Sequence, residues 1–282
     1  MKPEWLKKRL APQGILPMKE KLRGLGLHTV CEEAKCPNLS DCFSKQVATV
    51  MIMGDICTRS CKFCAVKTGR PRPLDPEEPA NVARWVGEIG LKHVVITSVD
   101  RDDLPDLGAK HFGATVLAVK SHNPKAIVEV LTPDFQGKGE LIDEVCNNKP
   151  MIYNHNLETV ERLTPAVRSA SKYSRSLKVI HWVKTHHPEQ VTKSGLMLGL
   201  GETTEEVIQA MRDLVEAGCD LLTLGQYLQP TPKHLTVAEY IHPDQFAEYE
   251  KIGKSAGFKA VFAGPFVRSS YLADEQYEAL AV

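Results

Sequence analysis

The chain has 282 residues, 43% hydrophobic and 25% charged, with a mean hydropathy of -0.22, a composition that excludes disordered, collagenous and disulfide-scaffold classes. A chain of this length buries roughly three-quarters of its unfolded surface, enough for one large core or two smaller ones. Lys+Arg and Asp+Glu are both 35, so the net charge is zero, which removes the electrostatic basis for general nucleic-acid binding or a polybasic membrane anchor. No apolar run reaches the ~18 to 20 residues of a membrane span, and the N-terminus carries no apolar signal core, so a cytoplasmic protein is expected.

In chain order, residues 1–46 contain prolines, charges and three cysteines, with one short helical candidate over 18–26. They read as an N-terminal extension in which a bound metal would compensate for a missing core. From residue 47, short β-branched apolar runs alternate with helix-period stretches. Strands are expected over 47–54, 93–99, 126–131, 151–154, 196–200, 221–226 and 260–262. Val82, Trp85, Val86 and Ile89 form a helical stripe that Gly90 can stop. Thr203-x-x-Glu206 is a capping box opening a helix through Val207, Met211, Leu214 and Val215 to Gly218, and Phe246, Tyr249 and Ile252 repeat the stripe before Gly257. Repeated β-α units with near-continuous apolar strands imply an α/β protein, a partial TIM-like (β/α) barrel of about six units over 47–257, followed by a C-terminal segment, 258–282. A doubly wound sheet is the alternative, but the turn after the first strand holds cysteines where that fold wants a phosphate-binding glycine fingerprint.

Six of the eight cysteines lie between Cys31 and Cys64. Cys31, Cys36 and Cys42 are spaced C-x4-C-x5-C; Cys57, Cys61 and Cys64 are spaced C-x3-C-x2-C after the first expected strand, at the barrel mouth where such folds place their chemistry. Three thiolates on one loop can wrap one face of an iron–sulfur cube and leave its fourth iron without a cysteine, open to a substrate. Structural zinc is the competing reading of either triad, though a closed zinc site needs four ligands. The spacing of the first triad is the less diagnostic of the two. Cys146 and Cys219 stand alone and read as buried thiols.

Cys57-x3-Cys61-x-Phe63-Cys64 resembles the signature of the radical S-adenosylmethionine (SAM) enzymes, with an aromatic residue before the last cysteine. The upstream triad and Arg268-Ser269-Ser270-Tyr271-Leu272-Ala273 together resemble the lipoyl synthase family. The resemblance extends over Gly54-Asp-Ile-Cys-Thr-Arg59, Val99-Asp-Arg-Asp-Asp-Leu104, Asn154-His-Asn-Leu157 and Lys193-Ser-Gly-Leu196. It implies insertion of two sulfur atoms at C6 and C8 of an octanoyl chain on a lysine of an acceptor protein. Those carbons are unactivated, so no general base with a pKa near 7 could deprotonate them and a radical is required. The resemblance implies two 4Fe-4S clusters and SAM as cofactors. The cluster on Cys57, Cys61 and Cys64 would bind SAM, whose cleavage yields a 5'-deoxyadenosyl radical; the one on Cys31, Cys36 and Cys42 would donate sulfur, with Ser270 on its fourth iron and Arg268 positioning that segment. It further implies octanoylated lipoyl-domain partners (2-oxoacid dehydrogenase E2 subunits and glycine cleavage H protein), an electron donor such as flavodoxin or ferredoxin, and an iron–sulfur cluster carrier, with neither nucleic acid nor membrane.

Other residues fit cofactor contacts, each beside a plainer role. Phe63 could flank the adenine or simply pack. Thr97 and Ser98 could meet the methionine end of SAM or cap the next turn. Glu129, a carboxylate inside an apolar strand, suits a ribose or ammonium partner better than a solvated face. Asn154 and Gln226 sit at strand ends in the same way. Asp100, Arg101, Asp102 and Asp103 could line the mouth or form a solvated loop. Gly199 and Gly201 suit a tight turn. Another two-cluster radical enzyme of sulfur insertion or methylthio transfer is the nearest alternative, discriminated by the R-S-S-Y segment. An electron carrier would need eight thiolates for two cubes, and six clustered cysteines do not supply them.

Overall fold

The structure is a computed structural model describing residues 2–7, 15–44 and 47–280. Parts of the expected N-terminal extension (residues 1, 8–14, 45 and 46) and of the C-terminal segment (281–282) lie outside the described residues. The chain divides into two compact units, one of Arg9–Arg59 and Ala65–Tyr153, the other of Met1–Lys8, Ser60–Cys64 and Asn154–Val282.

The first unit opens with α1 (Ile15–Gly24), β1 (His28–Thr29), α2 (Val30–Glu33) and α3 (Leu39–Ser44). It continues with β2 (Thr49–Ile52), the short pair β3 (Ile56–Cys57) and β4 (Lys67–Thr68), α4 (Glu78–Ile89), β5 (His93–Ser98), α5 (Ala109–His122), β6 (Ile127–Leu131), α6 (Gly139–Cys146) and the start of β7 (Ile152–Asn154). β2, β5 and β6 are neighbours and parallel; β1 adds an antiparallel edge on β2. The expected stripe buries Val82, Trp85 and Val86 to within 1% exposure, and Gly90 ends α4 in the left-handed region at φ 70°.

The second unit carries the end of β7, then α7 (Thr164–Val167), α8 (Tyr173–His186), β8 (Val191–Leu198), α9 (Thr204–Glu216), β9 (Leu221–Gln226), α10 (Pro243–Ala256), β10 (Ala260–Gly264) and α11 (Ala273–Glu278). β8, β9 and β10 are parallel neighbours, and their core gathers Leu196, Leu198, Val207, Met211, Leu214, Leu222, Leu224, Phe246 and Val261. Among the described residues, six strand–helix repeats run from β2 to α10, and β1 and β10 are edge strands. The sheet order is therefore open, as a partial barrel requires. No helix of the described residues is long and apolar enough to cross a membrane.

The main difference from expectation is β8, which begins at Val191 rather than residue 196. Its first half, Thr192-Lys193-Ser194, is polar in sequence and fully buried. The hydroxyls are satisfied inside the fold: Thr192 Oγ1 donates to the Gly218 carbonyl at 2.6 Å, and Ser194 Oγ accepts the Leu157 N–H at 3.1 Å. Hydropathy cannot show such pairings, so the strand reads short.

The capping box forms as expected. Thr203 Oγ1 accepts the Glu206 N–H at 3.3 Å and Glu206 Oε2 accepts the Thr203 N–H at 2.8 Å. Thr203→Ala is expected to cost about 1 kcal/mol, read as a lower denaturant midpoint with unchanged slope.

Candidate functional site

In parallel units the loops after the strands share one edge, and the first cysteine of the C-x3-C-x2-C run follows β2. The chain leaves β2 through two successive left-handed residues, Met53 at φ 68° and Gly54 at φ 88°. A residue other than glycine resists that conformation. Glu78, at the start of α4, holds it: its Oε2 accepts the Met53 N–H at 2.8 Å and lies 2.7 Å from His111 Nε2. Beyond the turn, Cys57 Sγ accepts the backbone N–H of Arg59 and of Asp100, each at 3.4 Å, and its thiol faces Asp100 Oδ2 at 3.7 Å. Backbone N–H groups aimed at a sulfur stabilise negative charge on it.

Arg59 ties three loops together. Its side chain is 5% exposed and pairs with Asp100 at 3.2 Å and Asp102 at 2.7 Å, after β5, and with Asp134 at 2.9 Å, after β6. Burial alone would weaken the guanidinium's hold on its proton, yet the three carboxylates outweigh it and drive the pKa upward. In return Arg59 holds Asp102 below its ordinary value. Asp102 and Asp103 are exposed, and Asp100 partly so, but all three are held in ion pairs. Arg101 is 2% exposed and grips Asp103 with Nε at 2.8 Å and Nη2 at 2.9 Å.

The first triad sits on two helical turns of the same unit. Cys31 lies in α2, Cys36 at the turn and Cys42 in α3, and backbone bonds from Cys36 N to Cys31 O (3.1 Å) and Cys42 N to Asn38 O (2.9 Å) fold the segment back. Burial pushes the Cys31 thiol up to about 12, helped by the nearby Cys36 and Cys42. All eight cysteines are thiols outside any disulfide. Among the described residues no three His, Cys, Asp or Glu side chains form a ready metal-binding group. A donor set of three thiols within electrostatic reach, one deeply buried, fits an iron–sulfur cluster whose charge offsets theirs.

In the second unit, residues 60–64 dock by their backbone. Lys62 N–H donates to Val167 O at 2.9 Å, Lys62 O accepts the Leu235 N–H at 3.2 Å, and Cys64 N–H donates to Cys61 O at 3.1 Å. His234 Nε2 meets the Cys64 carbonyl at 2.9 Å. After β7, Asn156 Nδ2 donates to Glu158 Oε1 at 3.1 Å and to Ser269 Oγ at 3.4 Å. Glu158 is left-handed at φ 69°, and burial raises its carboxyl against the opposing pull of Arg168 and Arg268. Ser270 is partly exposed. Arg268 Nη1 donates to Val267 O at 2.6 Å. This segment lies close upon β9: a Cβ on Gly225 would stand 2.1 Å from the Val267 carbonyl, so only glycine fits there.

The remaining sequence candidates fall at strand ends or within the sheet. Phe63 is partly buried. Thr97 Oγ1 donates across the sheet to Leu131 O at 2.9 Å, whereas the neighbouring Ser98 Oγ is buried with no hydrogen-bond partner among the described residues. Glu129 is fully buried, 3.3 Å from His93 Nε2. Asn154 is fully buried at the end of β7. Gln226 is engaged on both ends of its amide, with Oε1 accepting the Ile241 N–H at 2.8 Å and Nε2 donating to Glu239 O at 2.9 Å. Gly199 (φ 94°) and Gly201 (φ 104°) make the expected turn, with Glu202 accepting the N–H of Gly199 and Leu200. Sequence reasoning missed Glu78, His234 and Glu158 as functional positions. Glu78 and His234 act through main-chain partners far along the chain, which no spacing signals.

The Radical SAM superfamily is matched over residues 51–214. A lipoyl synthase of Rubrobacter xylanophilus is 54% identical over 278 residues, 98% of this chain and 87% of that protein. One of Thermus thermophilus is 55% identical over 280 residues, 98% of this chain and 86% of that protein. Among solved structures, methylornithine synthase superposes with a TM-score of 0.57 at 12% identity, covering 98% of this chain and 93% of that chain. At that identity the likeness concerns the fold alone.

Arg59→Met leaves the fully buried Asp134 without its cation and is expected to cost about 3 to 5 kcal/mol in denaturant unfolding. Arg59→Lys should restore little of it, because an ammonium cannot span three carboxylates. Asp102 has its pKa lowered by folding, so its stabilisation is complete above the ordinary value of 3.8 and is lost as pH falls through the lower folded value. Asp102→Asn should therefore flatten the acid limb of the pH–stability curve and leave its neutral-to-alkaline shape unchanged.

Proposed function

The chain belongs to the lipoyl synthases of the radical SAM superfamily, and we propose that its two cysteine triads divide the reaction between them. The enzyme inserts two sulfur atoms into the octanoyl chain of an octanoylated acceptor protein, using SAM and two 4Fe-4S clusters. Bound to their triads, the two clusters supply the one-electron chemistry with SAM and the sulfur that unactivated carbons require. Cys57, Cys61 and Cys64 hold the first; Cys31, Cys36 and Cys42, with Ser270 as a fourth ligand, hold the second.

The observation that carries this reading is the presence of both triads and the Arg268-Ser269-Ser270-Tyr271 run in a chain 54% identical to a lipoyl synthase over 98% of its length. The chain's own residues have distinct tasks. The N–H groups of Arg59 and Asp100 stabilise sulfur charge at Cys57. Ser98, with its unpartnered hydroxyl, and Phe63 and Asn154 contact SAM, while Thr97 and Gln226 hold the strand ends near them and Glu129 meets His93 within the sheet. Arg268 carries the Ser270 segment. A serine oxygen is a harder ligand than thiolate, suited to a cluster that gives up sulfur.

The proposed organisation is an extension over 1–46 bearing the sulfur-donating cluster, a partial barrel over 47–257 and a C-terminal segment over 258–282. The acceptors are lipoyl domains of 2-oxoacid dehydrogenase E2 subunits and glycine cleavage H protein. A flavodoxin or ferredoxin supplies electrons, a cluster carrier restores the consumed cluster, and the compartment is the cytoplasm.

Joint replacement of Cys57, Cys61 and Cys64 by alanine should abolish formation of 5'-deoxyadenosine in the anaerobically reconstituted enzyme; a normal rate would refute the assignment. With Cys31, Cys36 and Cys42 replaced instead, cofactor cleavage should persist, carbon–sulfur products of an octanoyl-lysine peptide should vanish from the mass spectrum, and iron should fall from about eight to about four per chain. Ser270→Ala should spare cofactor cleavage and lower lipoyl formation; wild-type thiolation would remove Ser270 from the ligand set.

A further inference from the structure

The loop that follows β9 wraps residues 62–64 through a chain of hydrogen bonds that includes a histidine. His234 Nε2 lies 2.9 Å from the carbonyl oxygen of Cys64, and its Nδ1 lies 2.8 Å from Thr231 Oγ1. A carbonyl only accepts, so Nε2 carries the hydrogen. In the neutral ring Nδ1 is then the acceptor, and the Thr231 hydroxyl donates to it while its lone pair takes the Lys233 N–H at 3.3 Å. The histidine's own backbone is held as well. Its N–H donates to Thr231 O at 3.0 Å, and its carbonyl accepts Gln229 Nε2 at 2.8 Å. The adjoining Leu235 donates its N–H to Lys62 O at 3.2 Å, and its carbonyl accepts the Tyr227 hydroxyl at 2.7 Å. Every polar group of the imidazole is thus committed, and the commitment ends on the peptide group of the last cysteine of the triad.

We infer that His234 is a positioning residue, locked as its Nε2–H tautomer by Thr231, which fixes the Cys64 peptide and with it the direction in which the third thiol of the triad is presented. The inference rests on the reading of Cys64 as a cluster ligand. Its physical content is that a peptide plane held at its carbonyl by a rigid, tautomerically defined donor cannot rotate to carry the cysteine elsewhere.

The test uses the full-length chain, with and without anaerobic reconstitution, in three variants. His234→Phe keeps an aromatic ring and removes the donor; His234→Gln retains an N–H; Thr231→Val is nearly isosteric and removes only the hydroxyl that sets the tautomer. Hydrogen exchange of the peptide spanning 60–66 should rise roughly tenfold in His234→Phe, the scale of one lost hydrogen bond, and by a smaller factor in Thr231→Val. It should stay near wild type in His234→Gln, with exchange in α9 unchanged throughout. In the reconstituted and reduced proteins, the electron paramagnetic resonance change on adding SAM should be altered in His234→Phe and recovered in His234→Gln. Wild-type exchange and spectra in both His234→Phe and Thr231→Val would overturn the inference, as would a His234→Gln protein as loose as His234→Phe, which would show that ring packing matters and donation does not. Should His234→Phe fail to fold, Thr231→Val alone decides the matter by the same two readouts. Cys64→Ala separates the underlying reading: a complete SAM-responsive cluster in that variant would remove Cys64 as a ligand, while the exchange response of the His234 variants in the cluster-free chain would stand by itself.

Discussion

The first unit depends on one guanidinium. Arg59 follows Cys57 by two residues, and its planar fork meets carboxylates from the loops after β5 and β6. Arginine alone among the cations offers several fixed donors to partners in different directions, and it cannot shed its proton under their pull. Asp134 is fully enclosed and needs that cation, whereas Asp100 and Asp102 keep part of their surface in water. The balance lets a cluster of one positive and three negative groups exist at a strand-end edge without the full cost of burying an ionic network. It also sets where Cys57 lies, since the N–H groups that meet its sulfur belong to Arg59 itself and to Asp100, one of the residues Arg59 grips.

At the other end of the cysteine run the means are different. Residues 60–64 are held by hydrogen bonds: backbone bonds through Lys62 and the contact of the His234 imidazole with the Cys64 carbonyl. Ion pairs at one end and hydrogen bonds at the other have a common effect, which is to define the main chain of the loop. Under the proposed assignment of these thiols to a cluster, the entropy of ordering the loop would be met by protein contacts before the metal binds.

The first triad follows another logic. Cys31 is buried, and burial with the nearby Cys36 and Cys42 raises its thiol. Under the proposed assignment, a cluster bound there would also stabilise that segment. Its scaffold is slight, two short helical turns and an edge strand of two residues.

Much was legible in the sequence because it was local. The two cysteine spacings, the Thr203–Glu206 box, the stripe through Val82, Trp85 and Val86 and the open run of strand–helix repeats all follow from residues near one another in the chain, where periodicity and capping chemistry act directly. The strand over Val191–Gly195 was not, because burial of Thr192 and Ser194 depends on partners such as Gly218 and Leu157. Nor were the ion pairs of Asp100, Asp102 and Asp103 with Arg59 and Arg101, since no local pattern distinguishes a paired acidic loop from a freely solvated one. Sequence by itself thus determined which atoms are available for chemistry and roughly which elements carry them. Tertiary structure decided which polar groups are consumed in holding the frame, as with Gln226, Glu78 and His234, and which stay unpartnered, as with Ser98. Hydrogen bonds and ion pairs between residues far apart in the chain leave no periodic trace, and their energies exist only once the fold has removed the competing water.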